Sequence, residues 1–208
     1  LIQKIERNFE KIKKDLQSKI KRRDFERYSI IKEKYNGGVN VENEREFQKT
    51  YKKFYVMRFV TSEYITKYFN LLNTKKFNTQ NQLGDLLNEM NGVLDSRGQN
   101  SMQFVFATKI LHTTNSSLPI YDSFVSGFFR LEAVPNDVNL DIKYRIETRK
   151  RIYDELVKKS NSLLSKDKIK KYIKEIRIIL DGADSISDAK MLDFIILSCE
   201  DGLNRNSK

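Results

Sequence analysis

Lys109 is the residue whose sequence surroundings most favour chemistry. It lies in a segment, Met102 to Leu111, in which seven of ten residues are apolar and surround the whole circumference of the expected helix. A helix without a polar face is a buried helix, and Lys109 is the only charge in it. Burial lowers the pKa of a lysine, so that part of its amine becomes neutral and nucleophilic. The alternative is a lysine at the edge of a core helix whose ammonium reaches water.

Asp122 is the second candidate, because it follows Pro119 and precedes another apolar segment. The pattern predicts that its carboxylate caps a helix, where backbone N–H groups would keep it ionised. Such a carboxylate could activate an amine or a water, or stabilise a developing oxocarbenium ion; the alternative is a helix cap with no further role. His112, near one helical turn after Lys109, and Tyr121 are candidate pocket residues. Their alternatives are a hydrogen bond at the helix end for His112 and core packing for Tyr121.

Around these residues the chain resembles the helix-hairpin-helix DNA glycosylases. FATKIL around Lys109 is similar to the segment with the family's catalytic lysine, and LPIYDSFV around Asp122 is similar to the segment with its aspartate. The resemblance covers about thirty of the 208 residues. It implies that Lys109 attacks C1′ of a flipped nucleotide and that Asp122 assists. The chain differs from the family in lacking the hairpin glycines before Lys109, and in having only about thirteen residues between the lysine and the aspartate.

The sequence argues against other classes of active site. One histidine and one cysteine, His112 and Cys199, cannot build a transition-metal centre, so neither a metal nor a cofactor is expected. A metal-dependent nuclease needs several converging carboxylates, and a serine triad needs a nucleophile elbow that no serine here has. The single cysteine fits a reducing cytoplasm, no signal peptide is predicted, and no apolar run reaches the roughly 20 residues of a membrane span. A cytoplasmic protein without a membrane partner is therefore expected.

The formal charge of +11 is concentrated in two segments. Residues 1–35 contain twelve Lys and Arg against six Asp and Glu, and residues 141–180 contain thirteen against six. This asymmetry favours an anionic partner, and we expect nucleic acid, with DNA favoured over RNA. The residues expected to contact phosphates are Lys13, Lys14, Lys19, Arg22, Arg23, Arg149, Lys150, Arg151, Lys168, Lys170 and Lys171.

Two alternatives remain open for the basic segments. Lysine-rich helices can coat a protein surface for solubility alone. The N-terminal segment could also meet a protein partner, because its apolar positions recur every three or four residues from Ile2 to Ile20 in a narrow stripe. In that case the protein would be a non-enzymatic interaction module.

The expected fold is all-α, since two Pro and eight Gly in 208 residues leave long helices uninterrupted and no useful period-2 alternation occurs. We expect a single helical core domain at 39–201, with a buried helix pair over 101–129 at its centre. A long basic N-terminal helix, docked as an arm over 1–38, and a flexible tail at 202–208 would flank it. Further helices are expected from Asn43 and Thr61 (separate or as one bent helix), from Thr79, over 141–164, over 167–180 and from Ser187.

Overall fold

The structure is a computed structural model that describes residues 1–58, 60–94, 96–98, 100, 103–135, 139–180 and 183–204, without the side chains of residues 19–21 and 200–204. These residues form ten α-helices and two 3-10 turns, and no β-sheet occurs among them. The prediction of an all-α protein is confirmed. No helix in the described ranges is long and apolar enough to cross a membrane.

The helices are joined by connections of different length, the longest of which precede α6 and α8. In chain order they are α1 (Ile2–Leu16), α2 (Lys19–Asn36), α3 (Arg45–Phe54), α4 (Ser62–Asn73), α5 (Leu83–Met90), α6 (Phe104–Thr114), α7 (Ser123–Phe129), α8 (Ile142–Leu164), α9 (Asp167–Ile179) and α10 (Asp188–Asn204). A 3-10 turn at Gln80–Gln82 leads into α5, and another at Ala183–Ser185 precedes α10.

Several predicted helix starts coincide with side-chain caps. The side chains of Thr61 and Asp141 accept hydrogen bonds from backbone N–H groups of the first turns of α4 and α8. Thr79 and Gln82 form a capping box ahead of α5. These caps satisfy N–H groups that have no partner within the helix, which is why they mark its first turn.

Helices α3 and α4 are two separate helices. α3 is capped by Glu44 rather than by the expected Asn43. It ends where Val56 takes a left-handed backbone conformation with φ of 50°. This conformation is strained for a β-branched residue. It turns the chain away from the axis of α3, so the two segments cannot continue as one bent helix.

The predicted long N-terminal helix is divided into α1 and α2 between Leu16 and Lys19. Both helices pack into the main core: α1 lies mainly against α10, and α2 lies against α3. Their inward residues belong to the same hydrophobic cluster as the rest of the chain; they are Ile5, Phe9, Ile12, Leu16, Phe25, Tyr28, Ile31 and Tyr35.

α6 is the central helix, as the sequence predicts. Nine of its eleven residues are buried, on all sides of the helix. Ser101 and Met102, where it was expected to begin, lie outside the described residues. At the other end of the chain α10 continues to Asn204, so it includes the first residues of the predicted tail, and residues 205–208 lie outside the described part.

A hydroxyl network links α6 to α3 and α4. The hydroxyl of Tyr51 lies 2.9 Å from that of Tyr68 and 2.9 Å from Thr113 Oγ1. Thr113 Oγ1 also donates to Lys109 O at 2.7 Å. All four residues are buried, so each hydroxyl depends on the others for its hydrogen bonds.

We expect Tyr51→Phe to lower the free energy of unfolding by about 1 kcal/mol, because it removes two buried hydrogen bonds but leaves Tyr68 and Thr113 with other acceptors. Tyr64→Phe is the matched control, since the Tyr64 hydroxyl is buried without a hydrogen-bond partner in the described structure. Its removal should be neutral or stabilising. Urea denaturation measures both variants, and equal losses would contradict the assignment of the network.

Candidate active site

A cavity of about 570 Å³ lies between the end of α3, the middle of α6, the start of α7 and α10. This volume falls within the range of about 300–1,000 Å³ typical of ligand pockets. Its wall is aromatic and charged. The aromatic residues are Phe54, Tyr55, Phe106, Phe124 and Phe194. The buried or half-buried charged residues are Lys109, Asp122, Lys190, Asp193 and Asp24, of which Asp24 pairs with Arg27 outside the lining.

Lys109 lines this cavity and is only 8% exposed, so its predicted burial is confirmed. Its Nζ donates to Tyr55 O at 2.8 Å. That carbonyl lies at the C-terminus of α3, where helix carbonyls carry partial negative charge and attract a cation. The ring of Phe106 lies 4.6 Å from the Lys109 Nζ.

Burial lowers the pKa of Lys109 from 10.5 to about 8. The charge of Lys190 lowers this pKa further, whereas the charges of Asp122 and Asp193 raise it. The loss of hydration outweighs the two carboxylates. At pH 7, on the order of one Lys109 amine in ten is then neutral, which is the form that can act as a nucleophile.

Asp122 caps α7, as predicted, and accepts a hydrogen bond from Val125 N at 2.8 Å. This hydrogen bond lowers the pKa of Asp122, but burial has the larger effect. Burial, followed by the charge of Asp193, raises the pKa of Asp122 from 3.8 to about 6. The Val125 N–H and the two cavity lysines offset this only in part. Asp122 is therefore mainly ionised at pH 7, although its pKa of about 6 is close to neutral pH.

The linker between α6 and α7, residues 115–122, forms two hydrogen bonds to α6. Tyr121 N donates to Thr108 Oγ1 at 3.1 Å, and His112 Nδ1 lies 2.6 Å from Leu118 O. Thr108 and His112 are four residues apart and thus share one face of α6. These contacts define the path of the linker, which brings Asp122 to the cavity that Lys109 lines.

His112 is not a pocket residue, contrary to the sequence-based assignment. Its side chain is fully buried and both ring nitrogens have partners. Because the Leu118 carbonyl only accepts, Nδ1 carries the proton, and Nε2 accepts from the Tyr28 hydroxyl at 2.9 Å. Burial lowers the pKa of His112 to about 3, so the neutral ring connects the linker, α6 and α2.

Tyr121 lines a second cavity, which lies beside the first and shares part of its wall. The backbone is extended at Asp122, with φ of −150° and ψ of 179°. Consecutive side chains of an extended chain point to opposite sides, so Tyr121 and Asp122 face different cavities. The Tyr121 ring also packs on Phe104, with ring centroids 4.4 Å apart.

Lys190 and Asp193 complete the charges of the first cavity and were not predicted from the sequence. They lie on α10, are 4% and 7% exposed, and form an ion pair at 2.5 Å. The Lys190 Nζ also lies 4.7 Å from the Phe194 ring. Their burial could have been predicted, because Lys190 precedes and Asp193 lies within the apolar stretch of residues 191–199. In the described part of the chain, no three His, Cys, Asp or Glu residues come together to hold a metal ion.

The residues predicted to contact phosphates differ in their exposure and in their ion pairs. Lys14, Arg22, Arg23 and Lys171 are exposed, whereas the side chain of Lys19 lies outside the described structure. Five others pair with carboxylates: Lys13 with Glu10, Lys150 with Glu147, Arg151 with Glu132, Lys168 with Glu6, and Lys170 with Asp167.

Arg149 is not exposed, although it was predicted to contact phosphates on the surface. It is 2% exposed and donates to Arg145 O at 2.9 Å and to Pro135 O at 3.3 Å. The helical spacing of the apolar residues in α8 turns this position inward, so it does not belong to the exposed basic surface.

Comparison of the chain with protein-family models, curated proteins and solved structures found no match. The resemblance to helix-hairpin-helix glycosylases therefore stays a prediction.

We expect the contribution of His112 to stability to depend on pH. Its folded-state pKa of about 3 lies below the ordinary value of 6.5, so protonation favours the unfolded chain. The stabilisation is complete above pH 6.5 and is lost as the pH falls towards 3, on the order of 1 kcal/mol per pH unit.

The measurement is urea denaturation of the protein and of His112→Asn at a series of pH values. The asparagine amide can still donate to Leu118 O. The difference between the two free energies of unfolding should narrow as the pH falls. Taking the difference removes the contribution of Asp122, whose raised pKa acts in the opposite direction. A difference that does not change with pH would show that His112 does not have this role.

Proposed function

We propose that this protein binds nucleic acid and uses Lys109 as an amine nucleophile on the sugar of a nucleotide in the cavity, in the manner of a DNA glycosylase with lyase activity. One observation carries the proposal. Lys109, with a pKa of about 8, and Asp122 line the same aromatic-walled cavity. The two hydrogen bonds between the linker and α6 explain why Asp122 lies at the cavity that Lys109 lines.

The chemical step requires the neutral amine. Its lone pair forms a C–N bond to C1′ while the bond from C1′ to the base breaks. The base leaves with the bonding electrons and takes up the proton that the alkylated amine releases. Ionised Asp122 stabilises the positive charge that develops on the sugar. The regained nitrogen lone pair then displaces the ring oxygen from C1′. That oxygen takes up a proton from water, which gives a protonated Schiff base between Lys109 and the opened sugar. On an abasic site, the amine adds to the free aldehyde and water leaves.

The cavity wall suits a nucleotide outside the base stack. Five aromatic side chains line the cavity, and aromatic rings can stack on any base. Arg58 and Arg97, both exposed, also line this cavity and favour an anionic substrate. A nucleotide has to leave the stack to bring C1′ to a buried amine.

The basic segments supply an outer surface for the same partner. α1 and α9 touch through stacked Phe9 and Tyr172 rings, whose centroids are 3.9 Å apart, and through the Lys168–Glu6 ion pair. The surface ion pairs do not oppose phosphate binding strongly, because such pairs contribute only about 0–1 kcal/mol each. A phosphate can therefore replace the carboxylate partner at small cost.

Borohydride should trap a covalent adduct between the protein and duplex DNA that contains an abasic site. Lys109→Gln should abolish the adduct, because it removes the only amine proposed to form the Schiff base. Lys32→Gln is the matched control: Lys32 is also partly buried, donates to Thr113 O at 2.8 Å, and has a pKa lowered by burial, but it does not line the cavity. Its adduct yield should equal that of the unchanged protein.

Asp122→Asn separates the two roles of that residue. Asparagine caps a helix about as well as aspartate, so the melting temperature should change little while release of the base slows. DNA binding by Lys109→Gln should remain and should weaken with salt, because phosphate contacts lie elsewhere. An adduct that survives Lys109→Gln, or none on any abasic or damaged duplex, would contradict the enzymatic proposal. Absence of binding even at low salt would favour the interaction module.

A further inference from the structure

The second cavity has a volume of about 670 Å³ and a strongly basic wall. Three arginines line it: Arg97, Arg130 and Arg149. It shares Arg97, Gln103, Val105 and Ser123 with the first cavity. The two cavities therefore lie on either side of one wall, with Asp122 on one side and Tyr121 on the other.

Arg149 forms the deepest charged part of this wall. It follows Arg145 by one turn of α8, and the two are 2% and 3% exposed. Neither forms an ion pair with a carboxylate within the described ranges. Burial, and then the charge of Arg145, lower the pKa of Arg149 to about 10, so it still carries a full positive charge at neutral pH.

The contacts of the two arginines leave this charge uncompensated. Arg149 donates to two backbone carbonyls, and Arg145 donates to Asn100 O at 2.8 Å. Carbonyls satisfy N–H groups but carry no formal charge. The Nε atoms of both side chains are buried and have no hydrogen-bond partner. Buried cations are ordinarily paired with an anion, and two adjacent ones without a carboxylate indicate that the anion is a ligand.

We infer that the second cavity binds a phosphate group, with Arg149 as its buried ligand and Arg130 at its exposed edge. The guanidinium fork matches two oxygens of a phosphate. The assignment to a phosphate of nucleic acid rests on the proposed function: a phosphate held here would be adjacent to a nucleotide whose sugar meets Lys109. The cavity would thereby fix the position of the backbone beside the reacting sugar.

Titration with inorganic phosphate, followed by NMR, tests the phosphate group itself. The Nε–H signal of Arg149, assigned by its loss in Arg149→Lys, should shift saturably with phosphate but not with chloride at equal ionic strength. Arg130→Gln should weaken phosphate binding by roughly tenfold, as expected for loss of one charged contact. Lys158→Gln is the matched control, because Lys158 lies on the same helix, is exposed and does not line the second cavity. It should leave the affinity unchanged.

The source of the phosphate is tested with abasic duplex DNA. Arg149→Lys and Arg130→Gln should raise the DNA concentration needed for half-maximal adduct formation roughly tenfold, with the yield at saturation preserved. If these variants weaken the binding of inorganic phosphate but not of DNA, the site binds a free phosphate or a small phosphorylated molecule. The assignment to nucleic acid is then wrong. Absence of a saturable shift at Arg149, or the same shift with chloride, would overturn the inference. Phosphate binding in a protein that forms no adduct would instead contradict the amine chemistry alone.

Discussion

The candidate site depends on two lysines and two aspartates around one cavity, of which Lys109, Lys190 and Asp193 are buried and Asp122 is half-buried. Lys109 and Asp122 come from consecutive helices, and Lys190 and Asp193 come from one turn of α10. The formal charges of these four groups balance, and Lys190 and Asp193 form an ion pair. Balance does not restore the hydration that each group has lost, and this explains why the pKa of Lys109 falls while that of Asp122 rises. The same burial that constrains the fold produces an amine and a carboxylate that titrate near neutral pH.

Hydrogen bonds from α6 and α8 to the linker between α6 and α7 provide the rigidity that such a site requires. Thr108 and His112 hold the linker, and Tyr153 donates to Pro119 O at 2.9 Å from α8. Through Tyr28, His112 also connects this linker to α2. Catalytic groups must be held within small tolerances by surrounding contacts. The N-terminal helices therefore contribute to the support of the candidate site as well as to the basic surface.

The sequence predicts local features of the fold better than it predicts the composition of the site. An apolar helix with one lysine could be recognised because its pattern lies within eleven residues, and the helix start at Thr61 and the cap at Asp122 could be recognised for the same reason. Lys190 lies some eighty residues from Lys109 in the chain, so only tertiary packing shows that they share a cavity. Arg149 was wrongly predicted to be exposed. The net charge of a segment counts its charged residues but does not show which side of the helix faces the core. The raised pKa of Asp122 likewise follows from burial by α10, which no local pattern encodes.

The central claim is that burial makes Lys109 an unusually acidic ammonium, and its pKa can be measured directly. Trace acetylation of the folded protein at a series of pH values, followed by peptide mapping, gives the rate at each lysine as a function of pH. The rate at Lys109 should follow a titration with a midpoint near pH 8, well below the ordinary value of 10.5. A midpoint at the ordinary lysine value would show that the Lys109 ammonium is fully hydrated, and would contradict the account of the cavity.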